Sequence, residues 1–175
     1  MLIFFSLFLN LHSDEKQSII NLLKETKSLN FNFVQNINEK VESGTCILVF
    51  DNKLKCNYRD EKEVLINNKT LVIIKKKYKK NYFYPISKSI FTKILNKENL
   101  INLIEYSNLE LNENIDLIYF GKDNRKITIF FKKESYELIG WEIVDSLQNK
   151  IFFSLEIQST NNYYDPIIFN TPKRN

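Results

Sequence analysis

Hydrophobic positions along the chain change period three times. Between Asp14 and Leu29 they recur at helical spacing, with Ile19, Ile20, Leu22 and Leu23 forming a stripe that Leu29 extends. Ser13 or Asp14 can cap the start, and acids fill the first turn. This predicts an amphipathic helix over 14–28, of about three to four turns, whose apolar face must cover something. From Asn30 the period shortens to two. Phe31 and Phe33 lead into the runs TCILVF (45–50), LKCNYR (54–59), EVLINN (63–68), TLVIIK (70–75) and YKKNYFY (78–84), separated by polar breaks. Runs this short and closely spaced predict hairpins and an antiparallel meander.

Helical spacing returns after Pro85. Ile90, Phe91, Ile94, Leu95, Leu100, Ile101, Leu103 and Ile104 predict one or two short helices within 87–106. Strand texture resumes in IDLIYFG (115–121), KITIFFK (126–132), YELIGWEIVD (136–145) and KIFFSLEIQ (150–158). Within the last two, Ile139, Trp141 and Ile143 share one face, as do Ile151, Phe153, Leu155 and Ile157. The tail, DPIIFNTPKRN, can add a short edge strand. The order is helix, strands, helical insert, strands. A meander of about ten strands with one wet face must curl to hide the other. The fold class expected is mainly β with a helical lid, an unclosed, strongly bent antiparallel β-barrel whose concave face is plugged by α-helices.

Length and composition narrow the classes. The 175 residues fit one domain. The net charge of +4 is too mild for a dedicated nucleic-acid binder, so no nucleic-acid partner is expected. The opening MLIFFSLFLNL is too short to span a bilayer and fits the apolar part of an export signal, although no Lys or Arg precedes it. Residues 1–12 are assigned to that signal peptide and 13–175 to the mature domain. The alternatives are an apolar N-terminal strand or a wrongly called start codon.

Several residues, in order, resemble the LolA/LolB-like family of outer-membrane lipoprotein carriers. Phe33 and Gln35 stand as the family's Phe-x-Gln on the first strand after the helix. Gly44 opens the next strand, and Tyr58 supplies the aromatic about fourteen residues later. NNKTLVII (67–74) resembles a family hairpin, Tyr84-Pro85 leads into the lid, and Gly140-Trp141 with Asp145 lies on a late strand. Ile167, Phe169 and Pro172 match the closing pattern. The resemblance runs from about Asp14 to Pro172. It implies a periplasmic, monomeric, non-enzymatic carrier without a cofactor. Its implied partners are lipoprotein acyl chains, an inner-membrane ABC-type release complex, and the outer membrane or its lipoprotein receptor. The alternatives are a periplasmic sensor or binding module for other amphiphiles, and a plain structural β-domain with a filled core. Two positions depart from the pattern. Phe50 stands where the family has a lid-locking arginine, with Asp51 in place of the following proline, and Ser89-Ile90 replaces a Thr-Pro. Phe50 is expected to hold the lid by apolar contact near Phe91, Ile94 or Leu95.

Candidate chemistry is sparse. His12, the one histidine, falls at the signal boundary, and no nucleophile elbow, phosphate loop or metal spacing occurs. Cys46 and Cys56 fall opposite one another if a three-residue turn joins their strands, which places them within disulfide reach. Two buried thiols are the alternative. Lysines 75, 76, 77, 79 and 80 surround Tyr78, reading as a solvated turn, as a nucleic-acid patch with stacking aromatics, or as a site for anionic head groups. The residues expected to line an acyl-chain cavity are Phe33, Leu48, Phe50, Leu54, Tyr58, Tyr82, Tyr84, Phe91, Leu95, Trp141 and Phe153.

Overall fold

The short β-rich runs become hairpins because their polar breaks supply residues that accept left-handed backbone. Asn38 and Glu39 have φ of 47° and 69°, and Asn52, Glu61, Asn68 and Lys79 also have positive φ. Two consecutive positive values make the primed turn whose twist suits a two-residue hairpin. In the computed structural model of the chain, residues 6–50, 52–86, 94–121, 125–144 and 149–173 are described, with side chains from Asp14 onward. The first half forms β1 (Ser28–Ile37), β2 (Lys40–Val49), β3 (Lys53–Tyr58), β4 (Lys62–Asn67), β5 (Thr70–Lys75) and β6 (Lys80–Pro85). The second half forms β7 (Asn108–Leu111), β8 (Ile115–Phe120), β9 (Lys126–Phe131), β10 (Leu138–Val144) and β11 (Lys150–Thr160).

All these strands join one antiparallel sheet of eleven, in the order β6-β5-β4-β3-β2-β1-β11-β10-β9-β8-β7. The two meanders meet at the centre, where β11 pairs along β1 from Leu29↔Thr160 to Ile37↔Ile151. β6 and β7 are the free edges, so the barrel is unclosed. The segment between Pro85 and Asn108 therefore has to travel from one edge to the other, and it does so carrying part of the lid. The lid consists of α1 (Ser6–Glu25), Ile94 and Leu95, and α2 (Lys97–Tyr106). Asn96 caps α2 by accepting from the Asn99 N–H at 2.9 Å.

Helices and the inner sheet face share one core. Ile19, Ile20 and Leu23 of α1 and Leu100, Leu103 and Ile104 of α2 bury their side chains with Phe31, Leu48, Leu117, Ile129 and Phe131. Two lysines tie the helices at opposite ends. Lys16 Nζ donates to the carbonyls of Glu105 (3.1 Å) and Ser107 (2.6 Å), and Lys97 Nζ donates to that of Lys24 at 3.3 Å. A cation among the last carbonyls of a helix also meets the favourable end of its dipole.

Six details differ from the sequence pattern. α1 begins at Ser6, so neither Ser13 nor Asp14 caps it; the Leu-rich run before them consists largely of good helix formers. It ends at Glu25, and Leu29 belongs to β1, where it is buried on the inner face. β2 extends back to Lys40, and β7 is an additional strand, its four residues too short to show a period. A bulge between Leu138 and Gly140 resets the alternation of β10, so Leu138, Trp141 and Ile143 enter the core while Ile139 is only half-buried. The tail adds no edge strand. Asp165 caps a single 3₁₀ turn, Pro166–Phe169, and the buried Phe169 settles on the outer face, where Asn67 Nδ2 donates to its carbonyl at 3.2 Å.

Candidate ligand-binding cavity

Strand alternation places Phe31 and Gln35 of β1, Cys46 of β2, Leu54, Cys56 and Tyr58 of β3, Val64 and Ile66 of β4, and Leu71 and Ile73 of β5 on the inner face. Together with Trp141, Phe153 and the lid residue Leu95 they enclose a cavity of ≈ 260 Å³. Sheet forms its wall, and Leu95 is its described roof. Its back is a stack of rings contributed by four strands. Trp141 lies parallel to Phe153 at 4.3 Å, Phe153 parallel to Phe33 at 5.1 Å, and Phe33 meets Tyr58 edge-on at 4.8 Å. Such pairs add about 0.5–1.5 kcal/mol each beyond the area they bury, which makes this wall stiff. Phe33 can reach this position because residue 44 opposite it is glycine; a Cβ there would lie 2.9 Å from the Phe33 ring and 2.0 Å from the Asn57 carbonyl oxygen.

Polar groups gather at one end of the cavity, where β1, β2 and β4 contribute Gln35, Ile37, Glu42 and Lys62. Glu42 accepts from Lys62 at 2.6 Å and from Lys40 at 2.7 Å. Burial alone would raise the Glu42 carboxyl, but the hydrogen bonds and charges of the two lysines win and hold it below its ordinary value. Lys62 Nζ also sits 3.8 Å from the Tyr58 ring centroid. The Tyr58 hydroxyl donates to Gln35 Oε1 at 3.4 Å. Burial, with Glu42 and Asp60 nearby, pushes the phenol well up, so it stays a neutral donor. Ile37 is 37% exposed, so this polar end is at the surface.

The residues expected to line a cavity divide into five groups. Leu54, Tyr58, Leu95, Trp141 and Phe153 line it. Phe33 and Leu48 are buried in the adjoining core. Tyr82 and Tyr84 lie on the inner face of edge strand β6, opposite Ile73 and Leu71, yet they are 37% and 47% exposed and stand outside the cavity. An edge strand has a neighbour on one side only, which explains their exposure. Phe91 lies outside the described residues, as do Asp51, Ser89, Ile90 and Asp145. Phe50 is half-buried at the lid, and its recorded partner there is Lys97, with Nζ 5.2 Å from the ring centroid. Lid contact at Phe50 is therefore partly cation–π rather than purely apolar.

Cys46 and Cys56 face each other across β2–β3 and are joined as a disulfide in the cavity wall. Val64, Ile66, Leu71 and Ile73 are lining residues that the sequence reading did not single out; their alternation with outward residues was the available signal. Glu42 and Lys62 had no such signal, since charged residues at strand starts are commonplace. A larger depression, ≈ 650 Å³, lies on the outer face of β1, β2, β3 and β11 among Asn32, Ser43, Thr45, Asn57, Arg59 and Glu156. Its lining mixes these polar groups with Val34 and Leu155, so it suits a hydrocarbon less well than the inner cavity does. No group of three metal-ligating side chains occurs among the described residues, and no helix there is long and apolar enough to cross a membrane.

No family model and no curated protein sequence matches the chain. Solved structures do. LprF from Mycobacterium bovis superimposes with a TM-score of 0.50 at 13% identity, over 90% of this chain and 97% of that one. The Mycobacterium tuberculosis lipoprotein LppX gives 0.52 at 12% identity, over 87% and 98%. MucB of the Pseudomonas aeruginosa MucA/MucB complex gives 0.52 at 10% identity, over 92% of this chain but 61% of that one. At such identities the likeness is one of fold.

Proposed function

We propose that this chain is an exported, non-enzymatic carrier that shelters the acyl chains of lipoproteins in the cavity between its sheet and its lid. The observation that carries the reading is the cavity itself, an apolar, ring-backed space roofed by a lid residue, with polar groups at one end only. A long acyl chain leaving a bilayer exposes methylenes at ~0.8 kcal/mol each, so a lipoprotein needs a substitute apolar environment to cross water. A volume of ≈ 260 Å³ falls below the roughly 300–1,000 Å³ usual for a small-molecule site, so cargo entry requires the lid to move away from the sheet. Loading from an inner-membrane ABC-type release complex and delivery to the outer membrane or a receptor there would complete the cycle in the periplasm. The carrier itself then consumes no nucleotide.

The sole tryptophan, Trp141, stands in the cavity wall, so its emission reports filling directly. Titration with a synthetic diacylated lipopeptide should shift that emission and saturate, while the unacylated peptide should do nothing. Native mass spectrometry of protein taken from a periplasmic extract should find lipopeptide bound. Absence of acyl species together with an unchanged emission would remove the carrier reading. The same apolar cavity supports a second reading, a non-carrier module that binds other amphiphiles. Co-purification of a free amphiphile, with no response to lipopeptide, would favour it.

A further inference from the structure

The β5–β6 hairpin carries a concentration of charge that the cavity does not use. Between Thr70 and Pro85 there are five lysines and no acid. Lys76–Tyr78 form a 3₁₀ turn that Lys79 closes in left-handed conformation, so Lys75, Lys76, Lys77, Tyr78, Lys79 and Lys80 are all exposed at one tip. Tyr78 is 62% exposed, with Lys77 Nζ 5.9 Å from its ring centroid, and Lys75 Nζ lies 5.7 Å from that of Tyr82. Among the described residues, Lys76 alone of these lysines forms an ion pair, with Glu63 at 3.1 Å. Strand pairing fixes where this tip is. Lys62 pairs with Lys75 and Lys75 with Lys80, so the tip projects from the same end of the sheet as Lys62, Glu42 and Ile37, the polar end of the cavity.

We propose that this hairpin tip docks the protein on an anionic lipid surface and thereby presents the polar end of the cavity to the membrane. Charge complementarity names the occupant: clustered ammonium groups attract anionic head groups, and exposed phenol rings with an apolar body and a polar edge suit the head-group layer. A single-stranded nucleic acid fits less well, because it needs a groove with successive stacking rings rather than a point. The docking does not depend on the carrier reading, although it would give that carrier its orientation.

The test is co-sedimentation of the full-length protein with vesicles of phosphatidylcholine alone or mixed with phosphatidylglycerol. Wild type should bind the mixed vesicles only and release as salt rises. K77A/K79A/K80A should weaken binding on the order of a hundredfold, the conversion of ~1 kcal/mol for each near-surface lysine. Tyr78→Ser should weaken it with the salt dependence unchanged. K132A/K133A, at the opposite end of β9, should bind as wild type does. These side chains are exposed, so thermal unfolding should verify that each variant folds. No binding of wild type to mixed vesicles overturns the proposal, and so does an equal loss in K132A/K133A, which would mean that diffuse net charge is responsible. Binding to a single-stranded oligonucleotide without vesicle binding also overturns it. Self-association of the triple variant with vesicle binding unchanged would show that the lysines guard the free edge of β6 instead. The Trp141 titration reads the cavity alone, so failure of docking and failure of the carrier reading give different results.

Discussion

The hold that Phe50 and Lys97 exert on the lid can be measured as a local opening free energy. Phe50 sits just past β2, its N–H donating to the Lys27 carbonyl at 3.1 Å, so it is fixed to the turn between α1 and β1. Lys97, at the first position of α2, reaches both the Phe50 ring and the last turn of α1. At 5.2 Å and partly exposed, the cation–π contact is worth about 0.5–1 kcal/mol. Truncating a fully buried phenylalanine costs about 3–5 kcal/mol, and a half-buried one roughly half of that. Phe50→Ala should therefore favour lid opening by about 2 kcal/mol, a factor of roughly thirty in the opening constant. Lys97→Met, which keeps the stem and loses the charge, should contribute about 1 kcal/mol, or roughly fivefold. Because the two groups touch, the double variant should fall short of the sum by the cation–π energy, about 0.5–1 kcal/mol. The assay is native-state hydrogen exchange of the 100–106 amides, with the central β1 and β11 amides as reference. Faster exchange confined to the lid is the expected outcome. Unchanged α2 protection in Phe50→Ala, or an equal loss in β1 and β11, would refute the idea that Phe50 holds the lid locally.

Other perturbations test the wall and its polar end. Gly44→Ala places a Cβ 2.0 Å from the Asn57 carbonyl oxygen and against Phe33, so it should destabilise by at least about 2 kcal/mol in urea unfolding and disturb Trp141 emission. A Cys46→Ser/Cys56→Ser variant should lose about 2–3 kcal/mol, and non-reduced, denatured wild type should take up no thiol label. Glu42 has a lowered pKa in the folded protein, so its stabilising effect is full above the ordinary carboxylate range and is lost as pH falls through the folded value. The stability difference between wild type and Glu42→Gln should accordingly shrink on acidification below pH 4.5. A difference that grows instead would mean that Glu42 gains nothing from its lysines.

Much of this architecture was legible because period and order are written locally. The shift from helical spacing to alternation at Asn30, and back after Pro85, is enough to yield the helix-strands-helix-strands order and the open barrel with its lid. Register across β2–β3 was legible too, since the 50–52 turn fixes Cys46 opposite Cys56. What local pattern could not carry was tertiary. A two-residue period reads the same with or without a bulge, so the displacement of Ile139 depended on how β10 meets β9. Tyr82 and Tyr84 have the alternation of a buried face, but the sheet ends at β6 and leaves them half-exposed. The tail has strand-like residues, yet Pro166 lacks an N–H and Asp165 caps a turn, so Phe169 is buried outside the ladder.

If the chain is the carrier proposed above, its topology accounts for how a cavity this small would serve a larger cargo. A closed barrel has fixed strand pairings, and widening it means breaking a ladder. This sheet has its free edges at β6 and β7, and the chain between them carries the roof residue Leu95 and helix α2. Moving the roof therefore breaks no strand pairing. It separates apolar side chains, which is reversible once hydrocarbon replaces them, because an acyl chain offers the exposed core the same non-directional contact. Three contacts would oppose a swing of α2 away from α1 and Phe50: Lys16 on the carbonyls of Glu105 and Ser107, Lys97 on Lys24, and Lys97 over Phe50. Each is an exposed or half-buried contact worth on the order of 1 kcal/mol, far less than the burial of one long chain at ~0.8 kcal/mol per methylene. On the proposed carrier reading, an acyl chain would thus outcompete the closed state and pack against the stacked Trp141–Phe153–Phe33–Tyr58 wall.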